Sequence, residues 1–154
     1  MPIMLIFTHL AITLLIGKSL VISRNEWIVA LIAGIGIDID HLLVNSKWID
    51  DIRNFIRYGR VTHGKAIQHS WIQEPLSGML FGCLFGWILY LSSLSIRWWI
   101  LPFFLAVHIL MDALMKYEHR PFAPFSNWNY TGFVPSATVH ELWISIVLLV
   151  MVLL

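Results

Sequence analysis

Long runs of hydrophobic residues alternate with shorter polar stretches along the whole chain. Five runs stand out, and each is close to the roughly 20 residues that a helix needs to cross a hydrocarbon core. They cover residues 2–22, 27–44, 76–92, 98–115 and 139–154. This pattern predicts an all-α fold, an integral membrane bundle of about five (four to five) transmembrane helices.

The connection over residues 45–75 has a helical pattern of its own. Trp48, Ile52, Phe55 and Ile56 recur at helical spacing, with acidic and basic residues between them. The pattern predicts an amphipathic helix that lies at the membrane interface or packs on the bundle.

The connection over residues 116–138 contains three prolines and a glycine, which forbid a continuous helix. We expect this connection to fold back as a lid or wall. Most basic residues fall in this connection and in residues 45–75, so the positive-inside rule predicts that both are cytoplasmic. The N-terminus is then expected inside and the C-terminus outside, in a multi-pass protein of the cell membrane.

Composition agrees with a membrane protein and sets limits on its partners. Of the 154 residues, 58% are hydrophobic and only 12% are charged, which predicts an integral membrane protein. The length permits one domain, so we expect a single membrane-embedded domain over residues 1–154. Membrane lipids are the expected surroundings. The formal net charge of +1 gives no general attraction for nucleic acid, and none is expected as a partner.

The polar residues inside the apolar runs are the main functional signal. Asp38, Asp40 and His41 end the second run, where a charged carboxylate is costly unless a cation accompanies it. His108 and Asp112 share one face of the fourth run, at positions i and i+4. Counting along the helices places these residues and His9 at similar depth, in one layer on the cytoplasmic side.

Imidazole and carboxylate groups in one layer predict a metal centre. Such donors suit zinc, manganese or iron, and their number suggests one to three ions, with zinc the leading candidate. The remaining histidines lie on the same side, but their roles stay open: His63 and His119 could be solvated loop residues, and His140 could belong to a helix start. His9 alone could also be a helix-packing residue.

These motifs resemble a known family. An early His9, then Asp38-Ile39-Asp40-His41, His69-Ser70, His108-x-x-x-Asp112 and Pro124-Phe125-Ser126 occur in the order found in the LexA-regulated, inner-membrane-associated (YdjM-like) family of metal-dependent hydrolases. Ile37 stands where that family has Pro, and the spacing from His63 to His69 is one residue longer. A fainter similarity, through the His-x-x-x-Asp pair, connects the chain to zinc-dependent phospholipase C and the related S1/P1-type single-strand nucleases.

The resemblance implies a membrane-bound hydrolase with a defined set of metal ligands. The set is His9, Asp38, Asp40, His41, His69, His108 and Asp112. We further expect Asp38 to ligate or act as base, and His69 to ligate or donate a proton. The expected substrate is a phosphoester of a lipid or of a lipid-linked molecule, cleaved by metal-activated water.

Two other functions remain open at this point. A divalent metal-ion transporter, or a metal-binding membrane protein without catalysis, would use the same side chains to bind an ion. A structural or regulatory protein with a degenerate metal site would show full metal loading and no turnover. The few polar residues on the predicted outer side favour the enzyme over the transporter, because a transport path needs polar groups across the whole membrane.

Overall fold

A computed structural model describes most of the chain as a set of short helices. It covers residues 3–38, 48–58, 71–92, 94–116, 118–135 and 138–154. The helices in these ranges are α1 (Ile3–Leu20), α2 (Arg24–Gly34), α3 (Trp48–Tyr58), α4 (Pro75–Leu91), α5 (Ile100–Leu114) and α6 (Val139–Leu153). Short 3-10 turns lie at Gly36–Asp38 and Trp71–Gln73, and two short strands, β1 (Glu118–His119) and β2 (Tyr130–Thr131), pair antiparallel.

The predicted transmembrane bundle is wrong. Within the described ranges, none of the helices combines the length and the apolar character needed for a membrane crossing. They run from 11 to 18 residues, whereas a span needs roughly 20. The second apolar run shows the physical reason, since its helix stops at Gly34 and the chain turns before Asp38. The multi-pass topology, with a cytoplasmic N-terminus and site, depends on the same spans and is not supported by the structure either.

Local sequence signals explain where several helices begin. Ser23 and Glu26 form a capping box at the start of α2, in which the Ser23 hydroxyl accepts from the Glu26 N–H and the Glu26 carboxylate accepts from the Ser23 N–H. Pro75 opens α4, where the missing N–H costs no helical bond. The Thr138 hydroxyl accepts from the Glu141 N–H and caps α6.

Helix α5 is the central element of the fold. It packs against α2 on one side and α4 on the other, while α1 lies mainly against α6 and also meets α2. The buried apolar core follows from this arrangement and includes Ile100, Phe104, Leu105 and Ile109 of α5 with Ala30 and Ala33 of α2. Gly82 lets α4 approach closely, because a Cβ there would lie 3.0 Å from Pro102 Cα of α5. The site residues on α5 are therefore buried beside this core.

Candidate metal centre

Helix α5 supplies the two residues at the middle of the candidate site. His108 and Asp112 are one helical turn apart, so their side chains lie on the same face. Both are buried, and His108 Nε2 lies 3.2 Å from Asp112 Oδ2. The spacing seen in the sequence thus brings an imidazole and a carboxylate into contact inside the core.

Helix α1 adds a second imidazole to this pair. His9 is 1% exposed, and its Nε2 donates to Asp112 Oδ1 at 3.1 Å. Its ring is stacked on that of His108, with centroids 4.1 Å apart and planes inclined by 20°. Asp112 is therefore contacted by a histidine at each of its two oxygens.

The 3-10 turn after α2 brings a second carboxylate. Asp38 is fully buried, and its Oδ1 lies 3.6 Å from His108 Nε2. The turn is also held by Gln73, whose amide donates to the Ile37 carbonyl at 3.3 Å. The early end of α2 thus has a structural consequence, since it directs Asp38 towards α5.

The backbone of Gly34 fixes the tautomer of His108. His108 Nδ1 lies 3.1 Å from the Gly34 carbonyl oxygen, and a carbonyl only accepts, so Nδ1 carries the proton. In the neutral ring, Nε2 then has a lone pair that faces the carboxylates of Asp112 and Asp38. This contact is repulsive unless a cation, either a proton or a metal ion, lies between the groups.

Three polar atoms of the cluster show that its hydrogen bonding is incomplete within the described residues. His9 Nδ1, His108 Nε2 and Asp112 Oδ2 are buried and make no hydrogen bond there. The last two are close, but their contact does not have hydrogen-bond geometry. A buried polar atom without a partner is costly, and a bound ion can remove that cost by accepting the lone pairs of such atoms.

The electrostatics of the cluster favour positive charge at its middle. Burial by itself lowers the pKa of His108, but the Asp112 carboxylate and then the Asp38 charge outweigh it and raise that pKa to about 9. Burial likewise raises the pKa of Asp112, but His108 and His9 outweigh this and hold the pKa well below its usual range. The two buried carboxylates thus favour a cation, either a proton on His108 Nε2 or a metal ion beside it.

The donor set fits a divalent metal ion. One ligand atom from each of His9, His108 and Asp112 can be chosen so that all three lie within 4.8 Å of one another. Two imidazoles with one carboxylate occur in catalytic zinc sites that leave a further position open, and also in non-haem iron sites. The buried group can therefore bind a metal, and its donors do not decide between zinc, manganese and iron.

The other predicted site residues fall into two sets. His119 is buried in β1, where its Nε2 donates to the Met115 carbonyl at 3.3 Å, and His140 is exposed in the first turn of α6. Asp40, His41, His63 and His69 lie outside the described residues. Their roles, and the ligand roles of the residues that the structure does bring together, stay predictions.

Sequence reasoning missed Glu74, a buried carboxylate directly before α4. Both of its oxygens accept from the Arg120 N–H, at 3.1 and 3.0 Å. Burial raises its pKa, and the charge of Asp112 adds to that effect. The available signal was the position of Glu74 directly before Pro75 and an apolar run, because Pro is common at the first position of a helix and this predicts that Glu74 lies at a helix start.

A second polar group missed by sequence reasoning joins α1 to α6 beside His9. Thr8 Oγ1 donates to Glu141 Oε1 at 3.0 Å and lies 2.7 Å from Ser145 Oγ. All three residues are buried. The signal was the presence of Thr8 and Ser145 in apolar runs, but their contact could not be read from residues so far apart in the chain. The group fixes the part of α1 that carries His9.

Taken together, the fold and the site define a small helical protein with a buried histidine and aspartate centre able to bind a metal. The chain belongs to the YdjM inner membrane protein family, whose model matches residues 4–154. This confirms the YdjM-like resemblance, and the family description agrees with the predicted location at the inner membrane. Neither the curated proteins nor the solved structures contain a significant match.

Proposed function

We propose that this protein is a metal-dependent hydrolase of the inner membrane that cleaves a phosphoester of a lipid or lipid-linked substrate. The observation that carries the proposal is the buried group of His9, His108 and Asp112, in which His108 Nε2 faces the carboxylates of Asp112 and Asp38. A metal ion bound by these residues supplies Lewis acidity, which lowers the pKa of water towards neutrality and stabilises charge on phosphoryl oxygens. Zinc is the ion that we expect.

Other residues of the chain orient the metal ligands or transfer protons. The Gly34 carbonyl holds His108 in the tautomer that leaves Nε2 available, as carbonyl partners do for many metal-binding histidines. Asp112 is oriented by His9 through a 3.1 Å hydrogen bond. We assign Asp38 the role of a ligand or of the base that takes a proton from the attacking water, and His69 keeps its predicted role as ligand or proton donor.

A lipid substrate is supported by the surface and by the family. Large apolar side chains are exposed along α4 and α6, among them Leu84, Trp87, Trp143 and Val147. Exposed apolar surface of this kind suits contact with lipid, and the family is described as an inner membrane protein. A substrate that is itself held in the lipid layer would be present at the same surface.

A second candidate is a metal-binding membrane protein without catalysis, which includes an ion transporter. The burial of the three donors favours it, since none of them is more than 3% exposed and a catalytic site must admit substrate. Both candidates require the metal. They differ only in whether phosphoester is turned over.

The test is hydrolysis by purified, zinc-loaded protein in phospholipid vesicles. The probes are a fluorescent phosphodiester lipid and p-nitrophenyl phosphate, with wild type compared with Asp38→Asn and with His140→Asn as the exposed control. We expect turnover by wild type and His140→Asn, a loss of about 100-fold or more in Asp38→Asn, and loss in chelator-treated protein that zinc restores. Metal-loaded wild type that turns over neither probe contradicts the hydrolase and favours the second candidate.

A further inference from the structure

The last turn of α5 is unusually well supplied with hydrogen-bond donors. A helix normally leaves its final carbonyls without intrahelical partners, and other groups must satisfy them. Here the Asp112 carbonyl accepts from the Met115 N–H at 2.9 Å, in a tightened final turn. The carbonyls of the next three residues, Ala113, Leu114 and Met115, all accept from the segment 118–134. That segment therefore holds the turn in which Asp112 stands.

Two of those donors are side chains that face each other across the strand pair. His119 is paired with Tyr130 in the register of β1 and β2, and their rings are stacked with centroids 5.0 Å apart. The Tyr130 hydroxyl donates to the Ala113 carbonyl at 3.0 Å, and His119 Nε2 donates to the Met115 carbonyl at 3.3 Å. One cross-strand pair thus donates hydrogen bonds to the carbonyls of Ala113 and Met115, on either side of Leu114.

Backbone hydrogen bonds also hold residues 133–134 of this segment against the end of α5. The N–H groups of Phe133 and Val134 donate to the Leu114 carbonyl, at 3.1 and 2.9 Å. Gly132 makes this approach possible, because a Cβ at that position would collide with the Met115 carbonyl oxygen. The strand pair is joined to the rest of the fold by Glu74, which accepts from the Arg120 N–H. It is consequently attached to α4 as well as to α5.

We propose that His119 and Tyr130 are positioning residues for the metal centre, which hold the last turn of α5 so that Asp112 faces His9 and His108. This inference rests on the proposed metal-binding function. Neither residue needs to touch the ion. Their effect is transmitted through the carbonyls of residues 113 and 115, and partners of this outer kind alter metal affinity by about 10- to 100-fold when they are removed.

The proposal is tested by zinc affinity, measured by competition with a chromogenic chelator on purified full-length protein. Tyr130→Phe removes the donated hydroxyl and keeps the ring, while His119→Leu removes the other donor. His119→Gln is the rescue variant, because its side-chain amide can still donate to the Met115 carbonyl. Ser92→Ala is the matched control, since the Ser92 hydroxyl bonds the Leu89 carbonyl at the end of α4, away from the centre.

We expect the zinc Kd to rise about 10-fold in Tyr130→Phe and about 10- to 100-fold in His119→Leu, with most of the affinity recovered in His119→Gln. Ser92→Ala should bind as wild type does. Circular dichroism is used to check that each variant is folded, and Tyr130→Phe keeps the test valid if His119→Leu does not fold. Wild-type affinity in folded Tyr130→Phe would overturn this inference alone, whereas a wild type that binds no zinc would overturn both it and the proposed function.

Discussion

The carboxylate of Glu26 joins α2 to Arg97, which lies shortly before α5, and replacing it tests how much this contact stabilises the fold. It is 3% exposed and accepts four hydrogen bonds, one from the Ser23 N–H and three from Arg97, through its backbone N–H, Nε and Nη2. The shortest, from Nε, is 2.7 Å. Chiefly because of the Arg97 side chain, the pKa of Glu26 falls from 4.5 to about 2. Replacing Glu26 with Gln removes the charge and keeps the shape.

The expected loss of stability follows from that pKa. A change from 4.5 to about 2 corresponds to about 3 kcal/mol in favour of the folded, ionised form. The Arg97 side chain is 45% exposed, so solvent screening reduces the effect. We expect Glu26→Gln to lower the free energy of unfolding by about 1–2 kcal/mol at pH 7.

The dependence on pH has a definite sign. Because the folded pKa lies below the unfolded value of 4.5, the stabilisation is complete above that value and is lost as the pH falls towards 2. The difference between wild type and Glu26→Gln should therefore be full at pH 7 and shrink from about pH 5 downwards.

The assay is urea unfolding of detergent-purified protein, followed by tryptophan fluorescence at pH 7 and at pH 3. Asp50→Asn is the control, because Asp50 and Arg53 form an exposed pair whose removal should change stability by less than about 0.5 kcal/mol. Equal stability of Glu26→Gln and wild type at pH 7, or a difference that persists unchanged at low pH, would show that the ionised Glu26 does not stabilise the fold.

Two further substitutions test the burial of Glu74 and the close contact between α1 and α2. Glu74→Gln should have the opposite dependence on pH, because burial raises the folded pKa of Glu74 above 4.5 and its ionisation therefore destabilises the fold as the pH rises. In the same urea assay, the variant should be more stable than wild type at pH 7 but not at pH 3. Gly34→Ala should lower the free energy of unfolding by about 1–3 kcal/mol, since the new Cβ would overlap Thr13 Oγ1. Adding Thr13→Ala should restore part of the lost stability. An unchanged unfolding midpoint in Gly34→Ala would show that α1 and α2 can separate freely at this contact.

Residue spacing made part of the candidate site predictable from the sequence. His108 and Asp112 share a helical face whatever surrounds the helix, because one turn is close to four residues. Counting along the first apolar run predicts a similar depth for His9, and the structure does bring it to Asp112. The counting assumed membrane spans, which none of the helices in the described ranges provides, but the reach of each helix depends only on its length.

Contacts between distant residues could not be predicted in the same way. The strands Glu118–His119 and Tyr130–Thr131 are two residues each, too short to show any periodicity, although the prolines around them correctly excluded a helix. The partners of Glu26 and Glu74, which are Arg97 and the Arg120 N–H, are also set by the tertiary packing. The length of α2 was overestimated because the apolar run continues beyond Gly34, where its helix ends.

If His9, His108 and Asp112 hold a metal ion, the purified protein should contain it, so the first measurement is metal content. Protein purified in detergent, with and without zinc reloading, is analysed by inductively coupled plasma mass spectrometry, with Asp112→Asn compared with the exposed control His140→Asn. We expect at least one equivalent of divalent metal in wild type and His140→Asn and its loss in folded Asp112→Asn. A wild type without metal after reloading, or an Asp112→Asn variant that retains the full amount, would contradict it.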